Sequence, residues 1–329
     1  MQQMEVIINQ IAVMTLIAFI GWLAGKTGYL PEKSGMYVSR VVIRITAPAL
    51  ILSTMASYDF TPKTITDGLW IGICALVFIL FSFAVGTLTS SLLKLKDTTA
   101  NIYRAHSMFG NVGYLALPLF KSIFGEKGLV YAVFFVIVHD TMVWTLGVYL
   151  LNKHKGNHWK ENLKHLLNAN TISFALGLLF AFINLQHFVR ESAGVRLVYN
   201  VVFNTLSPIG NTTLVLIMLF IGLTLSESKL GGISALVKKY PSFLLVFFKL
   251  LVIPIIAFIL LFTLGKSLDS FVRVIVVLEL AMPCASIIPA LAALYGSDHG
   301  FAADNVIIST IFSMVTLPLV LYFLNIFGG

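Results

Sequence analysis

The chain has 329 residues, 58% of them hydrophobic and 11% charged, with 22 Lys and Arg against 14 Asp and Glu and a mean hydropathy of +0.93. Such a composition excludes a soluble globular domain and implies a polytopic membrane protein, so the formal charge of +8 is assigned to cytoplasmic loops rather than to a nucleic-acid surface. Cys74 and Cys284 lie inside apolar runs without CxxC or Cys/His spacing, which excludes a disulfide framework and a zinc site, and the sequence calls for neither metal nor cofactor.

A bilayer-spanning helix needs roughly 20 apolar residues, and ten segments qualify: 4–25, 36–56, 66–93, 99–122, 127–151, 169–187, 197–226, 240–264, 270–294 and 302–327. The first has no basic leader or small-residue cleavage site and is read as a retained helix. It ends in "GWLAGKTG", which imitates a phosphate-binding loop. Three residues separate Gly21 from Gly25 where that motif needs four, and no strand precedes them. In the second segment Arg40 and Arg44 are expected to snorkel to headgroups, the alternative being that they attract anions inside the cell, and Ser53 follows Pro48.

The fourth segment contains "SMFGNVGYLALPLF", in which Gly110, Asn111, Gly113 and Pro118 all weaken a helix. Arg104 and His106 just before it are assigned to the interfacial layer. In the fifth segment His139 and Asp140 are adjacent, about 100° apart on a helix, and need not pair. Either can carry a coupling proton or ion, or Asp140 can be held by Lys249 of the eighth segment. The longest polar connection, "NKHKGNHWKENLKHLLN" at 152–168, is expected to be a basic cytoplasmic linker between halves 1–151 and 169–329.

In the seventh segment Asn211 follows Pro208, and in the ninth "MPCASIIPAL" holds Ser286, Ile288 and Pro289, with Glu279 about two turns earlier. Asp304 is expected to cap the tenth helix. With the N-terminus outside, inner loops hold Lys26, Lys33, Lys94, Lys96, Arg104, Lys153, Lys155, Lys160, Lys164, Lys229, Lys238 and Lys239. These outnumber Lys63, Lys121, Lys127, Arg190, Arg196, Lys266 and Arg273 outside, which places both termini outside.

Five helices on either side of a linker would insert a repeated unit upside down. "RVVIRITAP" (40–48) aligns with "NVVFNTLSP" (200–208), and "PLFKSIFG" (118–125) with "PALAALYG" (289–296). The interrupted fourth and ninth helices then occupy equivalent positions. Broken backbone at membrane depth is tolerated only inside protein or against a wet cavity, which predicts a midplane binding site.

"FGNVGYLALPLF", "AMPCASIIPALAALYG", "ISTIFSMVTLPLVLYF" and "RVVIRITAPALILS" together resemble the auxin efflux carrier family, which includes bacterial malate and malonate permeases and plant PIN-FORMED auxin exporters. The resemblance implies an all-α fold of ten transmembrane helices in a 5+5 inverted repeat, shared with sodium/proton antiporters and bile acid symporters. Helices 1, 2, 6 and 7 would form a scaffold, and helices 3–5 and 8–10 a mobile transport domain. Broken helices 4 and 9 would cross at prolines that map to Pro118 and Pro289, and a substrate carboxylate would bind beside the crossing. The site residues expected on this basis are Gly110, Asn111, Gly113, Pro118, Ser286, Ile288 and Pro289, with Ser53 and Asn211 completing the pocket from the scaffold. His139, Asp140 or Glu279 would serve a coupling proton or sodium ion. The short central loop points to a bacterial cytoplasmic-membrane protein, and the shared fold allows a homodimer through the scaffold.

The function expected is secondary transport of a small organic anion by elevator-type alternating access. The rival readings are a sodium-coupled symporter of the bile acid carrier type and a ligand-binding membrane receptor. No HExxH, GxSxG or paired intramembrane aspartates support an enzyme.

Overall fold

The computed structural model describes residues 2–153, 168–227 and 239–327. The linker lysines Lys155, Lys160 and Lys164, and also Lys229 and Lys238, lie outside the described residues. The chain runs through helices α1 (Gln2–Lys26), α2 (Ser34–Ser57), α3 (Pro62–Leu92), α4 (Asp97–Met108), α5 (112–124) and α6 (126–152). The second half comprises α7 (Ala169–Phe182), α8 (Leu185–Glu191), α9 (Ala193–Glu227), α10 (Tyr240–Thr263), α11 (Ser270–Leu280), α12 (Ile288–Tyr295) and α13 (His299–Phe327). Among the described residues there is no sheet. The helices α2, α3, α9, α10 and α13, and the stretch Val112–Asn152, are each long and apolar enough to cross a membrane. The protein is therefore a multi-pass membrane protein.

Local chemistry sets the helix ends. Thr61 accepts a bond from the Thr64 amide, with Pro62 in the first turn of α3. Asn168 accepts from the amides of Asn170 and Thr171 at the start of α7, at 3.0 and 3.1 Å. The sixth segment ends at Phe182 rather than 187, because Asn184 takes a left-handed φ of 52° and turns the chain by 60° into α8. The next helix starts at Ala193 rather than 197, where the Ser192 hydroxyl caps the Val195 amide. Gly125, with φ 68° and ψ −157°, divides α5 from α6.

Three prolines widen the turn before them instead of ending the helix, whereas Pro208 and Pro318 sit in regular α-helix. The π-helical turns Val42–Thr46, Val112–Ala116 and Phe248–Val252 each finish two residues before a proline, Pro48, Pro118 and Pro254. Proline has no N–H to give and clashes with the carbonyl four residues earlier, and a wider turn accommodates both. A fourth such turn, Val143–Gly147, has no proline behind it.

The helices associate most closely within two groups. α1, α2, α7 and α9 pack on one another, and α3, α4, α6 and α10 to α13 pack together. The "GWLAG" stretch of α1 has a structural role: a Cβ on Gly21 would lie 2.6 Å from the Leu219 carbonyl oxygen, and Gly222 of α9 abuts Ala18. Small residues four apart let these two backbones approach, as in membrane helix pairs generally.

Candidate functional site

The two interruptions meet. Between α4 and α5 the chain is extended at Phe109 and bends at Asn111, and between α11 and α12 it is irregular from Ala281 to Ile287. Gly110 and Cys284 face each other in an antiparallel bridge. The Asn111 amide donates to the Pro283 carbonyl at 2.7 Å, and the Ala285 amide to the Phe109 carbonyl at 3.1 Å. The Cys284 amide donates to Ser309 Oγ at 3.0 Å. Each break thus supplies hydrogen-bond partners to the other, which is how main chain survives unwound away from water. The approach requires a small residue: a Cβ on Gly110 would come within 3.3 Å of Met282 Cβ.

The pairing leaves helix ends pointing at the break. In α5 the Leu115 amide makes the first intrahelical bond, to Asn111 O at 3.0 Å, so the amides of Val112 to Tyr114 precede the helical ladder. α12 begins in the same region at Ile288. Both ends carry partial positive charge. The negative end of α4 is met by a buried cation, because Lys249 Nζ, on a π-helical turn of α10, donates to the carbonyls of Ser107 and Met108 at 3.4 and 3.3 Å.

A cavity of about 280 Å³ opens beside this crossing. Gly110, Asn111, Gly113 and Tyr114 line it from the first break, Ala285, Ser286 and Ile287 from the second, and His139, Asp140 and Trp144 from α6. The remaining wall is Val143 of α6, Ile43 and Arg44 of α2, and Asn168, Ala169 and Asn170 at the start of α7. Ser286 Oγ donates to Asn111 Oδ1 at 3.4 Å across the crossing. Asparagine and serine offer both donors and acceptors, and the two N-terminal helix ends favour a negative group.

The structure brings Gly110, Asn111, Gly113, Ser286, His139 and Asp140 to one cavity and places the other expected residues elsewhere. Pro118 and Pro289 are not at the crossing: the main-chain pairing is at Gly110 and Cys284, and both prolines lie within helices further along the chain, with Ile288 buried beside the second. Pro283, which accepts from Asn111, is the proline at the contact. Ser53 is buried with its hydroxyl on the Leu50 carbonyl at 3.3 Å. Asn211 accepts from Lys121 instead of lining the cavity. Glu279 is 1% exposed in the last turn of α11 and outside the cavity lining, and neither of its oxygens has a partner among the described residues.

Four other residue expectations are resolved by the geometry. His139 Nδ1 and Asp140 Oδ1 are 3.0 Å apart, because side-chain rotation closes the gap that the helix geometry opens. Lys249 is used on main-chain carbonyls rather than on Asp140. His106 is fully buried against Asn305 at 3.2 Å, not interfacial, and Asp298 rather than Asp304 caps the last helix, accepting from the Phe301 amide at 3.0 Å while Asp304 pairs with Lys239. The cavity residues that sequence reading missed are Arg44, Tyr114, Trp144, Asn168 and Asn170. Arg44, Tyr114 and Trp144 all sit in π-helical turns, and for Arg44 and Tyr114 the signal was a proline four residues later, at Pro48 and Pro118.

The profile of a family described as membrane transport protein matches residues 6–321, a span containing both breaks and every cavity residue. The chain belongs to the auxin efflux carrier family. Relatives in keeping with this auxin efflux carrier assignment are two archaeal proteins, each named an uncharacterized transporter. One, from Methanothermobacter thermautotrophicus, is 28% identical over 92% of this chain and 94% of its own length. The other, from Methanocaldococcus jannaschii, is 24% identical over 94% and 96%. An uncharacterized transporter of Saccharomyces cerevisiae is 25% identical over 179 residues, covering 46% of this chain and 39% of the yeast protein. Family and relatives indicate membrane transport rather than catalysis.

Proposed function

We propose that this protein is a secondary carrier that moves a small organic anion, a carboxylate, across the cytoplasmic membrane by alternating access without ATP hydrolysis. The observation that carries the reading is the pairing of Gly110 with Cys284, which holds two helix N-termini, Asn111 and Ser286 against one cavity. A carboxylate there would accept from main-chain amides and the Asn111 side chain, and unwound backbone at such a place is a hallmark of carriers.

In this reading α4 with α5, and α11 with α12, are single broken spans, giving ten spans in two inverted repeats with both termini outside. The group α1, α2, α7 and α9 acts as scaffold, and the group containing both breaks moves against it as an elevator. The cavity takes its walls from both groups, which supports a site that is opened and closed by their relative motion. The His139 and Asp140 pair, in the cavity wall, is the candidate for a coupling proton or sodium ion.

Proteoliposome uptake of radiolabelled malate and acetate, driven in turn by a proton gradient, a sodium gradient and a membrane potential, tests the carrier. Accumulation under one of these is expected, and the effective gradient identifies the coupling. Binding of these acids to the purified protein without uptake under any gradient would make it a receptor.

A further inference from the structure

We propose that Arg44 and the first turn of α7 form a second anion-binding pole in the cavity, a loading site for organic oxyanions on the wall opposite in origin to the crossing. Arg44 is exposed, lines the cavity, and meets no carboxylate within ion-pair distance among the described residues. Its neighbour one turn earlier behaves differently: Arg40 lies over the Tyr37 ring and bonds Met36 Sδ. The surface role expected of both arginines thus falls to Arg40. Arg44 instead sits in the π-helical turn that Pro48 enforces, with its permanent charge at the cavity.

The start of α7 adds to this. The Asn168 side chain caps the amides of Asn170 and Thr171, fixing a 14-residue helix whose positive end reaches the cavity at Asn168 to Asn170. Asn170 is only 8% exposed, and its side-chain oxygen is buried without a partner among the described residues. Asn170 also lines the cavity, and its amide NH2 is a donor from which an oxyanion can accept. The opposing charge in the lining is Asp140, whose carboxylate is engaged by His139.

α2 and α7 pack in the other helix group from α4, α6 and α11, which carry the crossing. An anion gathered at Arg44 would therefore be handed from the scaffold wall to the moving wall. That loading role rests on the carrier reading above, whereas the pole itself requires only the cavity.

Trp144 lines the same cavity and reports on it. In full-length protein in nanodiscs, with Trp22, Trp70 and Trp159 replaced by Phe, iodide probes local positive potential and acrylamide probes access alone. At low salt, Arg44→Gln should lower iodide quenching of Trp144 by about tenfold, the lower range of ion enrichment in a charged cleft. Arg44→Lys should retain quenching, Asn170→Leu should reduce it, and acrylamide quenching should not change. Arg40→Gln, one turn away and outside the cavity lining, should leave the iodide effect intact. Iodide quenching that is the same in Arg44→Gln, or in Asn170→Leu should the arginine variant not fold, would overturn the pole. Absence of malate uptake with an Arg44-dependent iodide effect would instead sink the carrier reading and leave the pole standing.

Discussion

Lys121 of α5 donates to Asn211 Oδ1 of α9 at 3.1 Å, and the same ammonium donates to Thr54 Oγ1 of α2 at 2.9 Å. A helix that follows the first break is thereby tied to two helices, α2 and α9, of the group formed by α1, α2, α7 and α9. Ser57 of α2 adds a bond to Glu126, just past Gly125, at 3.1 Å. If the two groups slide, these bonds must break, so they hold the present arrangement.

Lys121→Met keeps the aliphatic stem and removes both bonds, which together contribute about 1 to 3 kcal/mol. Spin labels at Phe182→Cys on α7 and Lys127→Cys on α6 suit the measurement, since both native cysteines are buried. Electron–electron distance measurements should show a second population growing in the Lys121→Met protein. An unchanged distance distribution would mean that the bridge does not hold the two groups.

Asn111 separates main-chain from side-chain roles. Its amide and carbonyl belong to the crossing and to the first turn of α5, whereas its side chain has one long contact, with Ser286. Asn111→Ala should therefore fold normally and weaken carboxylate binding by about 1.5 to 3 kcal/mol, the range for a hydrogen bond to a charged group. Calorimetric titration with malate, alongside a thermal melt, gives both quantities. Wild-type affinity in a well-folded variant would remove Asn111 from the site.

Lys249 carries a structural prediction. Replacing it by Met leaves the Ser107 and Met108 carbonyls without their donor at a buried helix end, at a cost of about 1 to 3 kcal/mol for each group left unpaired. Thermal unfolding in detergent should start at a clearly lower temperature, even without ligand. A melting curve that matches the parent would show that water or a rearranged side chain replaces the cation.

Acid sensitivity should localise to the start of α11. Asp269 accepts from Lys63 at 2.7 Å and from the Phe271 amide at 2.9 Å. The lysine holds its carboxyl below the ordinary value of 3.8, against a smaller opposing effect of burial. A depressed carboxylate stabilises the fold fully above its unfolded value, and that stabilisation is lost as pH falls through the folded one. Melts repeated from neutral pH to below 3.8 should thus show a loss in the parent that Asp269→Asn, already destabilised, does not repeat. Parallel curves for the two proteins would assign the acid sensitivity to other groups.

Much of this was decided locally. Length and apolarity of the segments fix helices that must cross a bilayer, since unpaired backbone cannot persist in hydrocarbon. The clustering of Gly110, Asn111 and Gly113, and of Pro283 with Ser286, marks where two helices cannot continue. What those breaks do was not local. The family resemblance implies a crossing at Pro118, yet a wider turn absorbs that proline and the chain separates at Phe109 to Asn111. Arg44 looked interfacial because an isolated helix has no cavity beside it, and Asn211 looked like a ligand because nothing in its own segment names Lys121. Helix formation and membrane insertion depend on each segment's own composition. Which polar groups meet a cavity, and which are used up on one another, depends on how separate helices pack, and only the tertiary structure decided that.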